Sequence, residues 1–194
     1  MTLELADDAA SREQWDDNRF VLSMTVEALP TGFRQSLAIS NRGERAFNCT
    51  TLLHTYFATP DVTQCGVKGL QGLEYTDKAR GFSTHTEDRQ VVVVPSVYTD
   101  RVYKNAPDQL ELSGVVGSSG DSTRTLSVVK EGFRDTVVWN PWVEKAKEIG
   151  DLGDDEYPSF VCVEVGSVAT PFSVDAGATW TGAQTVTVLP APQA

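Results

Sequence analysis

The sequence predicts an all-β sandwich, and three features carry that prediction. Short runs rich in Val, Thr, Phe, Tyr and Leu recur along the 194 residues, as pleated, half-buried strands require. Clusters of Gly, Pro, Asn and Asp separate those runs. Helical periodicity is thin, so strand layers must bury one another's apolar faces.

Taken in order, the chain opens on what reads as a strand already under way, with no first hairpin, so it reads as part of a larger protein. Asp7 to Asp17 is a short helix or a loop. Phe20 to Leu29 alternates after Ser23 and ends at Pro30-Thr31-Gly32. Arg34 to Ser40 follows, closed by Asn41-Arg42-Gly43, and then Ala46 to Phe57 as one continuous strand. Val91 to Val94 is a β-branched run that Pro95 terminates. Leu110 to Val116 and Arg124 to Lys130 flank Gly117-Ser118-Ser119-Gly120-Asp121, a hairpin connection. Thr136 to Trp139, Phe160 to Val165 and Gln184 to Leu189 bring the expectation to about nine strands. Pro141 to Ile149 suits two helical turns, with Pro at the start where its missing N–H costs little. Residues 1–194 read as a single domain, with 190–194 a frayed tail.

Bulk properties narrow the function. The chain is 40% hydrophobic and 22% charged, with a mean hydropathy of −0.23. It has neither an apolar run of membrane-helix length nor a signal-peptide layout at the N-terminus. A cytoplasmic location is the expectation. A formal charge of −11 argues against nucleic acid and against an anionic membrane as partners. Cys49, Cys65 and Cys162 are odd in number and lack CxxC spacing, so they read as packing residues of a reducing compartment.

Two side chains stand out. His54 lies within Leu52-Leu53-His54-Thr55-Tyr56-Phe57, and Glu164 ends Phe160-Val161-Cys162-Val163. A strand sends alternate residues to one face, so each is either solvent-facing or a polar group set in a pocket. His54 is then a satisfied structural histidine or a proton donor, and Glu164 a strand-end carboxylate or a base whose pKa burial raises. If Cys162 and Glu164 share a face, Val161 and Val163 pack on the other. His85 sits in a polar segment and reads as a solvated loop residue. With no HxH or HExxH spacing, a metal site is not expected.

Asp100 lies between tyrosines in Tyr98-Thr99-Asp100-Arg101-Val102-Tyr103, and reads either as an acceptor for ligand hydroxyls or as half of a surface pair with Arg101. Trp139-Asn140-Pro141-Trp142 offers aromatic faces for a sugar, or two core residues. Asp151 to Glu156 misses the EF-hand pattern and reads as a solvated acidic loop. No nucleophile elbow, phosphate loop or dinucleotide fingerprint is present. Proton transfer on a hydroxyl-rich ligand, or binding of one, remains.

In order along the chain, Leu53-His54-Thr55-Tyr56-Phe57, Asp100-Arg101-Val102-Tyr103, Trp139-Asn140-Pro141-Trp142-Val143-Glu144-Lys145, Gly153-Asp154-Asp155-Glu156-Tyr157 and Cys162-Val163-Glu164 resemble the D-hexose-6-phosphate mutarotases (glucose-6-phosphate 1-epimerases) of the aldose 1-epimerase superfamily. The resemblance implies a galactose mutarotase-like antiparallel β-sandwich whose N-terminal strands are missing, because it covers only the C-terminal part of family members. It implies His54 as general acid, Glu164 as general base, Asp100 as a holder of sugar hydroxyls, and a sugar phosphate as substrate. It implies no cofactor and no metal. The family's phosphate-gripping arginines lie upstream, and neither Arg34 nor Lys68 has motif support as a stand-in. The alternatives are a non-catalytic carbohydrate-binding sandwich and an inactive fragment. Oligomeric state has no sequence signal.

Overall fold

The computed structural model describes residues 1–117 and 123–190. The turn read at Ser118 to Asp121 and the tail after Pro190 lie outside the described residues. The opening residues form β1 (Thr2–Ala6), followed by helix α1 (Ala9–Gln14), whose Asp8 caps the N-terminus by accepting from the Ser11 N–H. Strands β2 (Phe20–Leu29), β3 (Gly32–Asn41), β4 (Phe47–Leu53) and β5 (Tyr56–Ala58) come next. Four short strands follow: β6 (Gly66–Lys68), β7 (Glu74–Asp77), β8 (Ser83–Thr86) and β9 (Val91–Val93). Then come β10 (Thr99–Tyr103), β11 (Gln109–Val116), β12 (Thr123–Glu131) and β13 (Asp135–Asn140). A short helix α2 (Trp142–Ala146) precedes the two last strands, β14 (Phe160–Val174) and β15 (Thr179–Val188).

These strands form two sheets. One has eight strands in the order β1-β2-β3-β15-β12-β11-β6-β9. The other has seven, in the order β4-β14-β13-β10-β7-β8 with β5 also against β14. Every described pairing is antiparallel. Fifteen strands among the described residues exceed the expected nine, because the expectation joins β4 and β5 and leaves out β1, β6, β7, β8 and β10, each too short to show clear alternation. The long Ala46–Phe57 strand is instead two strands, interrupted at His54 and Thr55. Phe160–Val165 is the first part of a much longer β14, and the expected helix at Pro141–Ile149 shrinks to Trp142–Ala146.

The core lies between the sheets. Leu37, Ile39, Leu112, Val128 and Val186 of the eight-stranded sheet meet Leu53, Phe57, Tyr103, Val138, Val161 and Val163 of the other. Val102, Val137, Phe160 and Cys162 are also buried, yet they stand outside this cluster. Side-chain alternation explains the difference, because these residues point to the opposite face of the seven-stranded sheet. That face is buried at its centre, and the candidate site forms there.

Candidate active site

His54 and Glu164 meet across neighbouring strands. Leu53 pairs with Val165 and Tyr56 with Cys162, so the same register places His54 opposite Glu164. His54 Nε2 lies 3.2 Å from Glu164 Oε1. The histidine side chain is 43% exposed and the glutamate 3%: one end of the pair opens to solvent and the other is sunk in the sheet. Val161 and Val163 face the core, which leaves Cys162 and Glu164 on the site face. The ladder break around His54 frees its backbone from sheet pairing. Thr55, pointing the other way, accepts a 2.6 Å hydrogen bond from Gln184 Nε2 on β15. The segment carrying His54 is therefore tied to the opposite sheet.

Aromatic side chains wall the pair. Tyr56 stacks on His54 with ring centroids 4.9 Å apart, and Trp139 meets His54 edge-on at 5.5 Å. Phe160 packs beneath both Tyr56 and Trp139. Trp142 is elsewhere: it packs on Tyr157 and the core, so only one of the two tryptophans borders the site. Its position is fixed by Asn140, whose side-chain oxygen accepts from the Trp142 N–H while its amide donates to the Tyr157 and Phe160 carbonyls.

Asp100 pairs with Trp139 in the β10–β13 ladder, which puts both side chains on the site face. Asp100 accepts a 3.2 Å hydrogen bond from the Tyr98 hydroxyl, and Lys78 Nζ lies 3.8 Å from its other oxygen. That second oxygen is buried without a hydrogen-bond partner, a free acceptor of the kind a ligand hydroxyl would satisfy. The expected alternative of a surface pair with Arg101 does not form. Arg101 points to the other face, toward Asp77 and Glu87.

Electrostatics follows from burial. Burial pushes the Glu164 carboxyl up to about 7; the neighbouring Asp100 charge adds to this and Lys78 opposes it. Its cross-strand partner is Val137, an apolar neighbour that does nothing for an ionised oxygen. Burial pulls the His54 imidazole below its ordinary value, with Asp100 pulling the other way. Burial also raises Asp100, against Lys78 and Tyr98. Burial thus works against the charged form of each member of the 3.2 Å pair, holding a proton on Glu164 and off His54.

His85, expected in a solvated loop, is exposed but lies on β8, with its ring near Tyr75. The acidic residues from Asp151 to Glu156 are exposed, as expected. Arg34 and Lys68 sit on the eight-stranded sheet beside Glu131 and Glu111. Lys78 was not legible in the sequence, since its approach to Asp100 depends on how the turn after β7 meets β10; the Tyr98–Asp100 bond, by contrast, joins residues only two apart. Sequence spacing also pointed away from a metal, yet the ligating atoms of His54, Cys162 and Glu164 all lie within 4.8 Å of one another.

A two-layer antiparallel sandwich of this topology places the chain in a class, the mutarotase-like sandwiches. Residues 1–187 match the aldose 1-epimerase family, and the chain belongs to it. A Cenchrus ciliaris protein provisionally named glucose-6-phosphate 1-epimerase is 34% identical over 78% of this chain and 44% of its own length. A Salmonella typhimurium protein of the same provisional name is 30% identical over 88% of this chain and 54% of its own length. The chain therefore spans about half the length of the curated relatives it matches. Among solved structures, a provisionally named mutarotase from Salmonella typhimurium superposes with a TM-score of 0.82 at 27% identity, over 98% of this chain and 60% of that one. A provisionally named aldose 1-epimerase from Escherichia coli gives 0.71 at 12% identity, over 97% of this chain and 64% of that one, and supports the fold alone.

Proposed function

We propose that this chain carries the proton-transfer centre of a mutarotase that interconverts the α and β anomers of a hexose 6-phosphate, with glucose 6-phosphate the first candidate. The observation that carries this reading is the 3.2 Å approach of His54 to the buried Glu164. Family membership supports the reaction class. The provisional names of the relatives support the phosphorylated sugar.

In this reading, Glu164 in its carboxylate form takes the proton from the anomeric hydroxyl, and His54 delivers one to the ring oxygen. Both oxygens are bonded to the same carbon, so a single pose can present one to each group. The C1–ring oxygen bond breaks as the C1 carbonyl forms. Rotation about C1–C2 exposes the other carbonyl face, and the reverse transfers close the ring. A base that ionises near 7 is matched to this task, because it can both accept and return a proton near neutral pH. Asp100 offers its unpaired oxygen to a sugar hydroxyl, Trp139 and Tyr56 offer apolar walls to the sugar's C–H faces, and Lys78 places a cation at the rim.

Exchange NMR between the anomers of glucose 6-phosphate, compared with unphosphorylated glucose, tests the reading. The expected result is exchange above the buffer rate, preferring the phosphate, with His54→Ala and Glu164→Gln each lowering it by roughly 10²–10⁴-fold. Exchange at the buffer rate, with saturable sugar binding, would favour a non-catalytic carbohydrate-binding sandwich. Neither exchange nor binding would favour an inactive fragment.

A further inference from the structure

The proposed mechanism uses His54 and Glu164 but leaves Cys162 without a role. This thiol is free and fully buried, and it lies on the site face two residues before Glu164. Its place in the ladder, opposite both Tyr56 and Trp139, puts it under the aromatic wall. A small packing residue would need only volume there. Instead the position brings a sulfur to within 4.8 Å of an imidazole nitrogen and a carboxylate oxygen.

We propose that His54, Cys162 and Glu164 form a binding site for a zinc-like transition-metal ion, which occupies the position a sugar would otherwise take. Nitrogen, sulfur and carboxylate oxygen together suit Zn2+ or Co2+ and not Mg2+ or Ca2+, which favour all-oxygen shells. One thiolate and one carboxylate balance the charge of a divalent ion, so the buried part of the site holds no net charge once filled. Three protein ligands leave a fourth position, which faces the open, His54 side of the cleft.

The geometry is near what such an ion needs. Bonds of about 2.0–2.3 Å in a tetrahedron place ligand atoms roughly 3.5 Å apart, so the widest gap must close by about 1 Å. His54 can supply that movement, because its side chain is 43% exposed and its backbone stands outside the strand ladder. On binding, the Cys162 S–H bond breaks and its proton leaves to solvent as the sulfur–metal bond forms. Any proton on Glu164 leaves in the same way.

Binding itself does not depend on the mutarotase reading; its consequence does. A metal held by the acid and the base would block both proton transfers, and would act as a reversible brake that competes with sugar.

Co2+ titration of the full chain, followed by absorption, tests the site without any substrate. The expected result is one Co2+ per chain, with a near-ultraviolet sulfur-to-cobalt band and visible bands of four-coordinate intensity, all erased by Zn2+. Cys162→Ser should abolish the sulfur band and weaken binding at least tenfold. His54→Ala, a change at a half-exposed side chain, should weaken it similarly. Cys49→Ser should leave the spectrum unchanged. Absence of a sulfur band in the wild-type chain, or a band that survives Cys162→Ser, would overturn the proposal. In the exchange assay, an active chain should be slowed by micromolar Zn2+ and restored by chelator. A chain inactive in exchange that still shows the cobalt spectrum would sink the mutarotase reading and leave the metal site standing.

Discussion

The two sheets bury their inner faces alike and treat their outer faces in opposite ways. On the eight-stranded sheet the outer face is wet. Thr2 and Thr25 share a hydrogen bond in solvent, as do Ser40 and Thr179, and Arg34 pairs with Glu131 at the surface. Burial along β3 and β11 accordingly alternates. On the seven-stranded sheet the centre of the outer face is dry. The first eight residues of β14 are all buried, as are five of the six in β13. Polar groups caught there, Glu164 above all, lose water on a face where a strand ordinarily meets it. The difference teaches where to look for chemistry in this fold: at the strands whose alternation of burial disappears.

Three experiments would break or sharpen that contrast. The inner faces should behave as ordinary core. Leu112 is fully buried, and Leu112→Ala should cost about 2–5 kcal/mol in chemical denaturation; a cost below about 1 kcal/mol would mean the two sheets do not pack as described.

The second experiment concerns the buried carboxylate. Glu164 ionises at 4.5 when unperturbed and at about 7 in the fold. The folded state therefore holds its proton more tightly, and the contribution is fully present below pH 4.5 and lost as pH rises through about 7. The shift corresponds to roughly 3 kcal/mol at the alkaline end. Glu164→Gln, which carries no charge, should be more stable than wild type at pH 9 by up to that amount and lose this advantage at pH 4. Equal pH dependence of the two proteins would contradict a buried Glu164.

The smallest effect belongs to the wet face. Arg34→Ala removes an ion pair whose side chains are 31% and 61% exposed. It should change stability by about 0–1 kcal/mol and leave anomer exchange untouched. A large loss of exchange would mean that the eight-stranded sheet takes part in the site.

The same contrast explains what could be read from the sequence. The sandwich was legible because its longer strands carry their own signal, as in Phe20 to Leu29 or Arg34 to Ser40. Strands such as Gly66–Lys68 and Ser83–Thr86 were not, because three or four mixed residues carry no period and their pairing is imposed by neighbours. His54 and Glu164 stood out as polar residues in apolar surroundings, and Asp100 through its flanking tyrosines. The break that releases His54 from the ladder was hidden, since Leu52 to Phe57 reads as unbroken strand. Its visible anchor, the bond between Gln184 and Thr55, spans 129 positions in sequence. Lys78 and the approach of Cys162 to His54 escaped for the same reason: each contact is made by segments that meet only in the folded chain.

The most direct test of this account is the ionisation of Glu164 itself, followed by carbon-13 NMR of the glutamate side-chain carboxyls, with Glu164→Gln to assign the signal. A midpoint near 7 is the predicted result, because burial beside Val137 and Asp100 holds the proton on. A midpoint at the ordinary 4.5 would mean that water reaches the carboxyl freely, and would remove the dry outer face on which the proposed proton transfer depends.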